Sequence, residues 1–93
     1  MAQNTTVTLT AGVWTQLTNA NATNIMWENR EGYSILVKGT ADATQPTDDL
    51  GAVEYPGRTG ERSVVLADFF PGITAVRLWG YCNSDARVMV SHD

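Results

Sequence analysis

The chain of 93 residues carries a net charge of −4, with 43% hydrophobic and 17% charged side chains. That length accommodates one domain with a small core, and the apolar content lies outside the range of chains that stay disordered. Gripping a phosphate backbone takes a dense set of Lys and Arg, so six basic residues spread from Arg30 to Arg87 argue against a nucleic-acid partner.

In chain order, Thr5–Thr10 reads TTVTLT, with Val7 and Leu9 on one face and threonines on the other, the pattern of a half-buried strand. Residues 13–18, VWTQLT, alternate Val13, Thr15 and Leu17 with Trp14, Gln16 and Thr18, and the polar cluster Asn19–Asn24 then reads as a loop. A third strand is expected over Ile25–Asn29. Arg30-Glu31-Gly32 reads as a hairpin turn into Tyr33–Lys38, with Gly32 supplying a positive φ. The stretch Gly39–Gly51, GTADATQPTDDLG, lacks periodicity and is expected to run over the surface. Ala52–Tyr55 is a short strand stopped by Pro56, which cannot donate to a ladder. Residues 57–62, GRTGER, read as an exposed mobile loop, Ser63–Leu66 as a strand, and ADFFPG as a turn anchored by Phe69 and Phe70.

The closing stretch Thr74–Asp93 predicts a β-hairpin around Asn83-Ser84-Asp85. Val76, Leu78 and Gly80 oppose Arg77, Trp79 and Tyr81 in its first run, and Val88 and Val90 alternate with Arg87, Met89 and Ser91 in its second. Bulky groups on both faces of the first run lead us to expect a partner chain over one side of the sheet. About eight short strands, and no window of a 3.6-residue apolar period, predict an all-β chain. The expected architecture is a small antiparallel β-sandwich, jelly-roll or immunoglobulin-like, or a barrel. It forms one domain over residues 1–93, with residues 1–5 as a flexible N-terminal arm. The lone Cys82 removes the Cys…Trp…Cys spacing of a true immunoglobulin domain, and the topology stays open.

Catalysis at neutral pH needs an activated nucleophile, a tuned carboxylate pair or a metal. His92 is the only histidine, and it is expected to fray. With Cys82 it falls short of the four ligands of a structural zinc site, and the glycines are scattered among turns rather than gathered in a phosphate loop. The chain therefore reads as no enzyme, with no metal site and no cofactor. Cys82 reads as a buried small hydrophobe. Asp42, Asp48 and Asp49 share the long loop, but their spacing matches no calcium loop, and a solvated acidic loop is expected. The aromatic residues, Tyr33 and Tyr55 among them, suit either a sugar-stacking platform or a core and interface. The second use is the expected one. Trp14, Trp27, Trp79 and Tyr81 are assigned to core and subunit contacts, and Asp42, Asp48, Asp49, Arg58, Glu61 and Arg62 to exposed contact loops. No run nears the ~20 apolar residues of a membrane span. MAQNTTVTLT has neither the basic nor the apolar region of a signal peptide, so the product is expected to be soluble and made in a cytoplasm, with no membrane partner.

The opening TTVTLTAGVWTQLTN, the central LVKGTADATQPTDDLGAV and the ending GERSVVLADFFPGITAVRLWGYCNSDARVMVSHD together resemble small virion structural proteins of tailed bacteriophages and prophages. In that group a T-x-T-L-T-x-G-x-W-T-Q-L run, an x-A-T-x-P-T-D-x-x-G-A segment and an F-P-G…R-V-x-V-S-H run recur in this order. The likeness spans nearly the whole chain and carries no catalytic residue. It implies a β-domain made in the host bacterial cytoplasm and incorporated into the virion, as a capsid decoration or cement protein or as a head-fibre base. The implied partners are the major capsid protein or other virion proteins, with a homo-oligomer, a trimer first, clamping the shell through buried area and strand-edge pairing. A tail or head-to-tail junction component, or a glycan-binding receptor-contact module, is the alternative.

Overall fold

Alternation of apolar residues along each strand sets which side faces the core, and the computed structural model, which describes residues 2–93, follows it closely. Among the described residues, eight strands and one helical turn succeed one another. They are β1 (Gln3–Leu9), β2 (Thr15–Gln16), β3 (Asn24–Asn29), β4 (Ile35–Thr40), β5 (Val53–Tyr55), β6 (Gly60–Val65), α1 (Leu66–Phe69), β7 (Arg77–Tyr81) and β8 (Ala86–His92). Two four-stranded antiparallel sheets result, ordered β1-β8-β3-β6 and β2-β7-β4-β5. Leu9, Ile25, Trp27, Val88 and Val90 of the first sheet meet Ile35, Val37 and Leu78 of the second, all essentially inaccessible. Each such side chain contributes about 1.5–3 kcal/mol of transfer free energy, which makes this shared layer the main support of the fold.

The topology is that of a jelly roll. β1 pairs with β8, β2 with β7, β3 with β6 and β4 with β5, so the chain is one long antiparallel ribbon folded over itself. Only β4 and β5 are consecutive strands of one sheet; every other connection crosses between the sheets.

That wrap corrects two expected hairpins. β7 and β8 lie in different sheets, because the apolar stripes Leu78–Gly80 and Val88–Val90 face the same core from opposite sides; Asn83-Ser84-Asp85 carries the chain across. The Arg30-Glu31-Gly32 segment likewise crosses between sheets, and Gly32 has no positive φ. The buried side chain of Asn29 shapes this corner. Its Oδ1 accepts from Glu31 N at 3.0 Å, and its Nδ2 donates to the carbonyls of Tyr33 at 2.7 Å and Tyr55 at 3.3 Å. The two corners are tied together, since Tyr33 Oη donates to the Asp85 carbonyl and Arg87 Nε donates to Glu31 Oε2 at 2.9 Å.

Three further expectations change. The GER of GRTGER belongs to β6, because Gly60 lets that strand lie against β3: a Cβ there would stand 2.0 Å from the Trp27 carbonyl oxygen. Leu66 opens α1 instead of closing a strand, and Phe69 behind it packs edge-on against Trp27 at 5.4 Å. Of the segment expected as an arm, Gln3, Asn4 and Thr5 lie in β1, in register with His92, Ser91 and Val90; Met1 lies outside the described residues. His92 is correspondingly buried within β8 and not frayed, and its Nε2 accepts from Asn19 N at 3.4 Å. Cys82 is buried, with Sγ donating to the Ser34 carbonyl at 3.5 Å.

Candidate functional site

The outer face of the second sheet gathers Trp14, Trp79, Tyr81, Asp48 and Asp49 among the singled-out residues. Even positions of β4 and odd positions of β7 point away from the core, which places Leu36 and Lys38 beside Tyr81 and Trp79 in direct register. Trp14, just before β2, reaches the same face and packs on Tyr81 with ring centroids 5.2 Å apart, tilted by 41°. Trp79 is buried within its own chain, and its indole N–H donates to Thr40 Oγ1 at 2.9 Å.

The long loop after β4 closes over this face. Gln45 Nε2 donates to the Trp14 carbonyl at 2.7 Å, and Lys38 Nζ reaches Asp48 Oδ1 at 3.0 Å. The same Asp48 oxygen accepts from Leu50 N at 3.1 Å, and Asp42 Oδ1 accepts from Thr44 N at 2.9 Å. Two of the three loop aspartates thus shape backbone. The Lys38 ammonium holds the Asp48 carboxyl below its ordinary value, and the Thr44 N–H does the same for Asp42. Between loop and sheet runs an open groove of about 590 Å³, bordered by Trp14, Tyr81, Leu36, Pro46, Asp48 and Asp49. Among the described residues no three His, Cys, Asp or Glu side chains gather as a metal site would require.

The remaining predicted residues go elsewhere. Trp27 is in the core, edge-on to Tyr55 at 5.5 Å, so the aromatic residues do not form a single platform. Glu61 does not stand free in a loop: it accepts from Tyr55 Oη at 2.8 Å, and burial together with that carboxylate pushes the Tyr55 phenol well up. Arg58 and Arg62 flank Met26 and Met89 on the outer face of the first sheet.

Sequence reasoning missed the second surface feature. Leu50, Phe69, Phe70, Pro71 and Ile73 line a hollow of about 360 Å³ where the long loop returns beside β4. Leu50 is 74% exposed and Ile73 45%, with Val53 on the neighbouring edge strand at 39%. The one signal was Leu50 itself, a lone large apolar residue inside TDDLG. Phe70 forms the floor because Gly39 has no side chain, and a Cβ there would meet the Phe70 ring at 2.6 Å.

Comparison with protein-family models, with curated proteins and with solved structures gives no match for this chain.

Proposed function

We propose that the chain is a bacteriophage virion structural protein, a decoration or cement domain that binds the outer capsid surface and stabilises the shell. The observation that carries this reading is the hollow floored by Phe70, whose lining residues Leu50 and Ile73 are the two most exposed large apolar side chains among the described residues. Contiguous exposed apolar surface marks protein contacts, and seating it on another subunit removes it from water. Two further features support the reading. Arg30, Lys38 and Arg87 are each engaged with a carboxylate, which suits a protein partner better than a phosphate backbone. The jelly-roll wrap is one that viral shell proteins use, a likeness of fold that serves as analogy only. Cosedimentation with purified empty capsids of the encoding phage tests the proposal: saturable binding supports it, and a chain left wholly in the supernatant removes it.

A second reading, a glycan-contact module, draws on the Trp14–Tyr81 groove with its acidic rim, since sugar rings stack on aromatic faces and their hydroxyls donate to carboxylates. Saturable quenching of tryptophan fluorescence by host-surface oligosaccharides would favour it over the first.

A further inference from the structure

Four strand edges border the two sheets, and three of them carry features that oppose pairing with another chain. β2 has two residues, and β5 has three, including Glu54, and runs into Pro56. β6 carries Glu61 and Arg62 and is broken by a bulge, where Arg62 and Ser63 together oppose Met26 and Ser63 takes φ 51°. The fourth edge differs in every respect. β1 pairs with β8 in unbroken register over seven residues, and its sequence QNTTVTL contains no charge, no proline and no glycine. Asn4, Thr5, Thr6 and Thr8 are all exposed. The outward N–H and C=O groups of such an edge are a template for another strand, and sheets that stay single protect their edges with short strands, charge, proline or bulges. Three edges here have that protection and one has none.

We propose that β1 pairs antiparallel with β1 of a second copy about a two-fold axis at Thr6, joining two four-stranded sheets into one of eight strands. The strand is self-complementary in this register. Thr6 faces its own counterpart, Thr5 faces Val7, Asn4 faces Thr8 and Gln3 faces Leu9, so small β-branched residues meet across the axis. A second copy fits this edge because β1, the one long edge with no charge, lets two chains of net charge −4 pair with no carboxylates opposed along it. The resulting assembly is two-fold, in place of the trimer that the phage resemblance implies, and it stands whether or not the partner surface is a capsid.

Light scattering of the full chain over a concentration series tests this, with a mass expected to rise to twice the 10.1 kDa of one chain. Thr6→Lys sets two ammonium groups against each other at the axis and is expected to weaken the dimer by about tenfold or more. Thr6 is exposed in the single chain, so the fold of the monomer stays intact and its circular-dichroism spectrum stays unchanged. Thr6→Cys is expected to cross-link to itself under mild oxidation, whereas Asn4→Cys, which faces Thr8, is not; the buried Cys82 stays out of the reaction. A monomer at every concentration, a trimer, or a dimer that Thr6→Lys leaves intact and Thr6→Cys fails to cross-link overturns the proposal.

Discussion

Lys38 Nζ stands 3.0 Å from Asp48 Oδ1, and through this contact β4 holds the far end of the long loop over the sheet face. Both side chains touch solvent, so the pair contributes about 1 kcal/mol or less. Asp48→Ala is therefore expected to leave the melting temperature within about 3 °C of the parent while freeing the backbone near Leu50. Limited proteolysis would show it as faster cleavage between Thr44 and Gly51, and an unchanged cleavage rate would mean that Gln45 alone pins the loop.

Gly60 is expected to tolerate no side chain. A methyl group there meets the Trp27 carbonyl oxygen and the Glu28 Cα, both backbone atoms of a paired strand, so β6 must move away from β3. Gly60→Ala should cost about 3 kcal/mol in denaturant unfolding. Gly72→Ala, with nothing within 4 Å of the new methyl, should change stability by about 0.5 kcal/mol or less.

Replacing both Leu50 and Ile73 by serine separates contact from fold. Neither residue is part of the buried core, so the melting temperature should hold while capsid binding weakens by about tenfold or more. Equal binding by this double variant would place the contact elsewhere on the molecule.

Stability should fall at both ends of the pH range. Arg87 lowers the Glu31 carboxyl from its ordinary 4.5, and the Thr23 and Asn24 N–H groups lower Asp93 from 3.8, as Lys38 and Thr44 lower Asp48 and Asp42. Groups with a depressed folded pKa contribute stability that is complete above those ordinary values and lost as pH falls through the folded ones. Tyr55 acts in the opposite sense. Its raised pKa contributes stability that is full below its ordinary 10.0 and lost as pH rises beyond it. Thermal melts should therefore be flat between about pH 6 and 9 and decline outside. Tyr55→Phe should reduce the alkaline decline, with the raised Tyr33 phenol supplying what is left, and leave the acid limb in place.

Strand positions were legible in the sequence because alternation is local. Val7 and Leu9, Ile25 and Trp27, Leu78 and Gly80, and Val88 and Val90 all point as the pattern dictates. Partnership was not legible. A four-residue link such as Cys82–Asp85 suits either a hairpin or a crossing between sheets, and the choice depends on where the rest of the ribbon lies. The side chain of Asn29, which fixes one crossing, looks from the sequence like a strand end before a turn. The first half of β6, residues 60–62, escaped notice for a related reason: Gly60 reads as a loop residue until the Trp27 carbonyl is seen against it. Of the residues singled out, Trp14 and Tyr81, assigned to core and subunit contacts, and the loop residues Asp48 and Asp49 border one groove, whereas Leu50 and Ile73, 23 positions apart, meet only through the fold.

The most direct measurement is electron microscopy of empty expanded capsids saturated with the chain. Density built from domains of 28 × 26 × 18 Å is expected on the outer surface at fixed symmetry positions, with the Leu50 and Ile73 rim turned toward the shell. Bare capsid surfaces, or density confined to the tail or the head-to-tail junction, would contradict the decoration role.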